Sequence, residues 1–171
     1  MNLVEKKLLA IFLVFVAPAT RASCEYVDIF EVIGGLPHVR AIYTFPAEEA
    51  GDQMCMRANL TTFNPYAGKA SYFWSWIDDT GNNKSLTIDI SKGDSPDVVN
   101  DILSSDPEHP VLATIPFAVE KICFVLKTAD LQGQCILWVD EAIKDNYPEK
   151  CAQGYKAACP EGVLLSQEGC V

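Results

Sequence analysis

Residues 135–160, CILWVDEAIKDNYPEKCAQGYKAACP, set three cysteines, Cys135, Cys151 and Cys159, on a strand-like run and the helix-like run after it. Ile136-Leu137-Trp138-Val139 are residue types that suit a pleated, half-buried surface. A single short strand and one helix do not by themselves need so many thiols. What the thiols fasten the helix to depends on the rest of the chain.

The other end of the chain sets the compartment. Lys6 and Lys7 precede an apolar run, Leu8 to Val16, and Ala17-Pro18-Ala19 has the A-x-A form of a signal-peptidase site. The run is too short to cross a bilayer, so residues 1–22 read as a secretory signal peptide, cleaved after Ala19, Ala22 or Ser23. Residues 24–171 then form one domain of about 150 residues, long enough to bury a proper core. No other run is long enough to span a membrane, so a secreted, extracellular protein without membrane anchoring is expected.

All seven cysteines lie after that signal, and in an oxidising compartment they read as disulfides. Zinc is disfavoured: there is no C-x-x-C, and His38 and His109 are far from the cysteines in sequence. No metal or other cofactor is expected. Two sequons, Asn59-Leu60-Thr61 and Asn83-Lys84-Ser85, make Asn59 and Asn83 glycosylation candidates, whereas Asn64 precedes Pro65 and does not qualify. Cleavage after Ala22 removes Lys6, Lys7, Arg21 and Glu5, leaving 10 basic against 22 acidic residues and a net charge of −12. Such a surface repels phosphate backbones and anionic membranes, so nucleic acid is not an expected partner.

Between these ends the pattern is of short strands. A helix from Val27 to Ile33 ends at Gly34-Gly35. His38 to Phe45 alternates, with Val39, Ala41, Tyr43 and Phe45 on one face. Gln53 to Phe63 alternates again. A glycan on Asn59 must face water, so Cys55, Arg57, Asn59 and Thr61 point out, and Met54, Met56, Ala58 and Leu60 point in. Ala70 to Ile77 puts Tyr72, Trp74 and Trp76 on one face, and Lys84 to Ser91 does so with Leu86, Ile88 and Ile90. Gly93 to Leu103 has the weakest pattern and room for one short strand. Asp106 to Pro110 reads as a loop. Val111 to Phe117 and Val119 to Lys127 read as strands split near Pro116, and Cys135 to Asp140 as the last. Seven or eight short strands with a turn about every ten residues suit an antiparallel sandwich or an up-and-down barrel. An eight-stranded barrel is wide enough for one small ligand. Met54, Met56, Tyr72, Trp74 and Trp76 either fill a core or line such a cavity.

The chain resembles the tick salivary lipocalins, the group of histamine-binding proteins and their sterol-binding relatives. The matching residues are Asp28-Ile29-Phe30 in the leading helix, Cys55, VLATIPFAVEKICFVLKT (111–128), CILWV (135–139), Tyr147-Pro148-Glu149-Lys150-Cys151, Tyr155, Cys159-Pro160 and Cys170. Their order and spacing agree along nearly the whole mature chain. The family's Asp-x-Trp stands here as Asp28-Ile29-Phe30. The resemblance implies an all-β fold: an eight-stranded antiparallel up-and-down lipocalin barrel, with a short N-terminal helix and a C-terminal α-helix packed outside. It also implies the disulfides Cys55–Cys170, Cys123–Cys151 and Cys135–Cys159, which hold that helix against the barrel. Cys24 is left over, either free, displacing one of these pairs, or joining two otherwise monomeric chains.

The resemblance further implies a binding protein rather than an enzyme, and the sequence has no HExxH, G-x-S-x-G, P-loop or His–Cys constellation. Amine-binding members carry acids in Cys-Asp…Glu-Leu-Trp, where a carboxylate in a dry cavity pairs with a cationic amine. Here Phe124 replaces the aspartate and Ile136 the glutamate. That favours a small hydrophobic mediator, such as a sterol, fatty acid or eicosanoid, sequestered in saliva to blunt host inflammation, haemostasis or immunity. The pocket candidates are Tyr72, Trp74 and Trp76, then Tyr43, Phe45, Met54 and Met56. Phe30 would close one mouth, and Trp138 is either a pocket wall or a packing residue. Histamine or serotonin binding would need other acids pointing inward, with Asp78, Asp89 and Glu120 as candidates. A third reading makes the barrel a scaffold, with the loops Pro46–Asp52, Asp78–Asn83 and Gly93–His109 engaging a host protein.

Overall fold

The computed structural model describes residues 27–46, 53–129 and 133–170. Residues 1–22, expected to be a signal peptide, Cys24, and 47–52 of the expected Pro46–Asp52 loop lie outside the described residues. Helix α1 (Ile29–Gly35) precedes strands β1 (His38–Phe45), β2 (Met54–Asn64), β3 (Lys69–Ile77) and β4 (Asn83–Lys92). Strands β5 (Val98–Leu103), β6 (Asp106–Val119), β7 (Cys123–Thr128) and β8 (Cys135–Asp140) follow. A 3-10 turn (Glu141–Ile143), helix α2 (Glu149–Ala158) and a two-residue strand β9 (Val163–Leu164) complete the chain. Neighbouring strands pair antiparallel in the order β2 to β8, then β1 and β9, and β1 also pairs with β2. That last pairing closes β1 to β8 into a barrel and removes the free edges of the sheet.

Helix α1 starts where Asp28 caps it, its carboxylate accepting from the Phe30 N–H at 2.8 Å. It ends at the paired glycines and turns Ile29, Phe30 and Ile33 into one end of the barrel. The Tyr72 hydroxyl donates to Leu36 O at 2.9 Å and fixes the exit of the helix. Phe30, 5% exposed, stacks on Phe63 at 6.2 Å and packs in the inner cluster.

Register shifts interrupt the ladders at several points, and two of them bear on the inward faces expected from alternation. In β1, Ala41 faces Trp138 but Tyr43 faces Leu137, so an extra residue is absorbed between them. Val39 and Ala41 stay in the inner core, while Ile42, Tyr43 and Phe45 all belong to the outer cluster and Thr44 is fully buried. In β2, Met54 faces Ile77 and Arg57 faces Ser75, with Cys55 at φ 56° between them. Met56, Ala58 and Leu60 face inward as the pattern predicts. Before the bulge the inward residue is Gln53 rather than Met54.

Two further boundaries differ from the sequence reading. Asp106 to Pro110 is the start of β6, not a loop. Pro116 does not split the strand, because it sits in a register shift between Thr114 and Phe117, where no ladder N–H is needed. The break comes instead at Glu120–Ile122, with Lys121 at φ 55°. The weakly patterned 93–103 region supplies β5, the one short strand for which it had room.

Helix α2 lies outside the barrel on a second apolar cluster that includes Ile42, Val125, Leu137, Val139 and Tyr155. Gly154 permits the close approach: a Cβ there would lie 2.3 Å from Phe117 Cε1. Tyr155 stacks on Tyr43 at 5.4 Å. Cys123–Cys151 and Cys135–Cys159 tie α2 to β7 and β8, and Cys55–Cys170 ties the C-terminal segment to β2, the three pairs the resemblance implies. Chain-entropy arguments give about 3–4 kcal/mol for each short loop and about 5 kcal/mol for the long one. Arg40, 1% exposed on β1, is held by Glu141 through Nη2–Oε1 at 2.5 Å and Nε–Oε2 at 3.1 Å, and donates to Cys55 O at 3.2 Å. Among the described residues no helix is long and apolar enough to cross a membrane.

Candidate functional site

The barrel interior is filled near α1 and hollow beyond it. An outer chamber of about 250 Å³ is lined by Met56, Trp74, Trp76, Leu86, Ile88, Leu103, Val111 and Leu126, with Gln53, Asp101, Thr128 and Gln134 as its polar wall. An inner chamber of about 30 Å³ abuts α1 and is lined by Tyr72, Trp74, Asp101, Phe124 and Trp138 among aliphatic side chains. Trp74, Ile88, Asp101 and Leu126 line both, so the two adjoin inside the barrel. Trp74 meets Trp138 edge to face, with ring centroids 4.8 Å apart.

The structure therefore brings together five of the predicted residues, Met56, Tyr72, Trp74, Trp76 and Trp138, around one hollow. It excludes three. Tyr43 and Phe45 pack in the outer cluster with α2, because the β1 bulge turns them outward. Met54 is half-buried at the start of β2 and lines neither chamber, because the β2 bulge gives its place to Gln53. Thr44, also turned inward by its bulge, places its hydroxyl 3.4 Å from Gln53 Oε1.

Phe124 and Ile136, which the resemblance sets where amine binders carry acids, are buried in the inner apolar cluster. None of the three acids considered from sequence lines either chamber. Asp78 caps the β3–β4 turn, accepting from Thr80 and Asn82, and those bonds, Thr80 first, hold its carboxyl near about 2. Asp89 accepts from Ser71 at 2.6 Å on the outside of the barrel. Glu120 is exposed on the β6–β7 turn.

The expectation of a hollow poor in acids fails at one residue that sequence reasoning missed. Asp101, on β5, is 4% exposed and lines both chambers, and its Oδ1 has no hydrogen-bond partner among the described residues. Burial raises its carboxyl from 3.8 to about 7. The signal was the spacing Val99-x-Asp101, an aspartate in phase with a buried valine; it was overlooked because the strand itself was poorly marked. Burial also pushes the Tyr72 phenol well above its ordinary value. The interior thus offers an apolar enclosure, one carboxyl near neutrality, the Trp138 N–H and a polar wall. That set can bind and orient a small molecule. Among the described residues no cluster of His, Cys, Asp or Glu could hold a metal ion.

The sequons are at the surface. Asn59 Oδ1 lies 2.9 Å from His38 Nδ1 in an exposed pair, and Asn83 is exposed at the start of β4.

No protein-family model matches the chain, and no curated protein matches it. Solved structures do. Japanin from Rhipicephalus appendiculatus, bound to cholesterol, superposes with a TM-score of 0.61 at 10% identity, covering 84% of this chain and 98% of that one. Lobster apocrustacyanin A1 gives 0.60 at 11% identity, covering 79% and 78%. Apocrustacyanin C1 gives 0.59 at 11%, with the same coverage. At these identities the likeness establishes the fold alone, a closed eight-stranded up-and-down β-barrel with a helix packed outside.

Proposed function

We propose that this protein is a secreted lipocalin of the tick salivary kind, which sequesters a small hydrophobic mediator in its barrel and so modulates host defence. The observation that carries this reading is the hollow itself: a closed barrel whose wall of tryptophan, methionine and aliphatic side chains surrounds about 250 Å³ of space. A protein that needed its barrel only as a scaffold would gain stability by filling that volume. The three disulfides brace the wall around a core that is not tightly filled. Japanin, of like fold, is recorded with cholesterol, which supports a hydrophobic guest of the sterol, fatty-acid or eicosanoid kinds. The volume lies below the range of about 300–1,000 Å³ typical of drug-sized ligands, so a compact or partial-depth guest suits it better than a rigid sterol. The chain is read as a glycosylated monomer carrying sugar on Asn59 and Asn83, and not as an enzyme.

One observation favours a second reading. Asp101 places a carboxyl in the hollow, and an ionised carboxylate there would pair with histamine or serotonin. Against it, the acid stands alone, where amine binders of the family carry two. Calorimetry with a leukotriene, a fatty acid, cholesterol, histamine and serotonin separates the readings. The carrier reading expects micromolar or tighter binding of at least one lipid and none of either amine. Micromolar histamine or serotonin with no lipid binding would overturn it.

A further inference from the structure

Two polar atoms in the barrel interior have no hydrogen-bond partner among the described residues: Asp101 Oδ1 and Trp138 Nε1. They come from different strands, β5 and β8, the residues are 4% and 1% exposed, and both line the inner chamber. Two other side chains on that wall carry a polar atom: Tyr72, whose hydroxyl donates to Leu36 O, and Trp74, which is half-buried and also lines the outer chamber. The rest of that wall is apolar. Buried polar groups are paired in nearly all folded proteins, and an unpaired one weakens whatever state leaves it so.

The two atoms make opposite demands. The indole N–H can only donate, and a carboxylate oxygen can only accept. A guest whose polar end sits in the inner chamber must therefore accept from one and donate to the other. A hydroxyl does both with a single oxygen. An ammonium can donate to Asp101 but leaves the Trp138 N–H unpaired. A carboxylate can accept from Trp138 but presents like charge to Asp101. An ether accepts and cannot donate. The size admits it: about 30 Å³ exceeds the roughly 10–15 Å³ that holds one water, so there is room for a hydroxyl and the carbon that bears it.

Resting on the carrier reading above, we propose that the guest is a small hydrophobic alcohol, its hydroxyl bridging Trp138 Nε1 and Asp101 Oδ1 in the inner chamber and its hydrocarbon filling the outer one. The bridge holds whether Asp101 is ionised or protonated, since a carboxylic acid also has an oxygen free to accept. An amine, by contrast, needs the ionised form.

The test is a matched series, 1-octanol, octylamine, octanoic acid and octyl methyl ether, titrated by calorimetry into delipidated full-length secreted protein. At pH 8 Asp101 is mostly ionised, which gives the amine its best opportunity. 1-Octanol is expected to bind at least about tenfold tighter than each of the other three, the usual worth of one satisfied buried group. Asp101→Leu and Trp138→Phe are each expected to bring it down to the ether's affinity, and either variant alone suffices if the other fails to fold. Any of the other three binding as tightly as the alcohol, an alcohol preference that survives both substitutions, or binding of none of the four would overturn the inference. The carrier reading falls separately, when the leukotriene, fatty acid and cholesterol of the calorimetry above also fail to bind.

Discussion

Replacing Asp101 with asparagine keeps the shape of the side chain and removes its titration. In the folded protein burial raises the carboxyl to about 7, against 3.8 when exposed. The folded state therefore holds its proton over a range of pH where the unfolded chain has already lost it. The stability linked to this group is fully present below about pH 4 and is lost as pH rises through about 7. A difference of about 3 pKa units at about 1.4 kcal/mol each gives about 4 kcal/mol lost between pH 4 and pH 8. Asp101 is 4% exposed, so solvent screening does little to reduce this. The chain is strongly acidic throughout, and general charge repulsion also weakens it as pH rises. The informative quantity is therefore the difference between Asp101→Asn and wild type, in which that background cancels. Guanidinium chloride unfolding with disulfides intact, at steps between pH 4 and pH 8, should show the variant gaining steadily on wild type. At pH 8 the gain should be on the order of 1 M in midpoint relative to pH 4. A difference that stays flat across the range would refute the placement of Asp101 in a dry interior.

Other perturbations follow from the same geometry. Gly154→Ala, which in an exposed helix would stabilise by up to about 1 kcal/mol, should destabilise by about 1–3 kcal/mol here, because the new methyl meets Phe117; thermal unfolding reads the sign. Met56→Lys should abolish lipid binding, whereas Met54→Lys, one bulge away and outside both chambers, should leave affinity within about threefold, as measured by titration of intrinsic tryptophan fluorescence. Replacing Cys135 and Cys159 together with alanine should cost about 3–4 kcal/mol in chemical denaturation, with the barrel's far-UV circular dichroism retained, because the bridge fastens α2 rather than the sheet.

How much of this was legible in sequence depended on the distance from a bulge. β1 and β8 have the boundaries read from their alternation, and the inward face of β3 is the one its tryptophans mark. Periodicity assumes that parity is kept along a strand. The bulges at Ala41/Tyr43 and at Cys55 each insert one residue, and so exchange Tyr43, Phe45 and Met54 for Thr44 and Gln53 on the inner face. Nothing in the residue types announces either bulge, since neither is marked by glycine. Pro116 misled in the opposite direction, because a proline at a register shift interrupts no ladder bond. Asp101 was missed for a different reason. A charged residue on a short strand is read as solvent-facing by default, and only closure of the barrel by neighbouring strands makes its face the interior. The disulfide pairs could not be derived from spacing at all; they came with the family resemblance.

The account rests on a hollow barrel that shelters a guest. Native mass spectrometry of glycosidase-treated protein secreted from eukaryotic cells tests this most directly. The prediction is a non-covalent adduct of one small lipophilic molecule per chain, released on denaturation and absent from a variant whose outer chamber is filled by Leu103→Trp and Val111→Phe. A wild-type protein that carries no adduct and takes up none from a mixed lipid extract would contradict it.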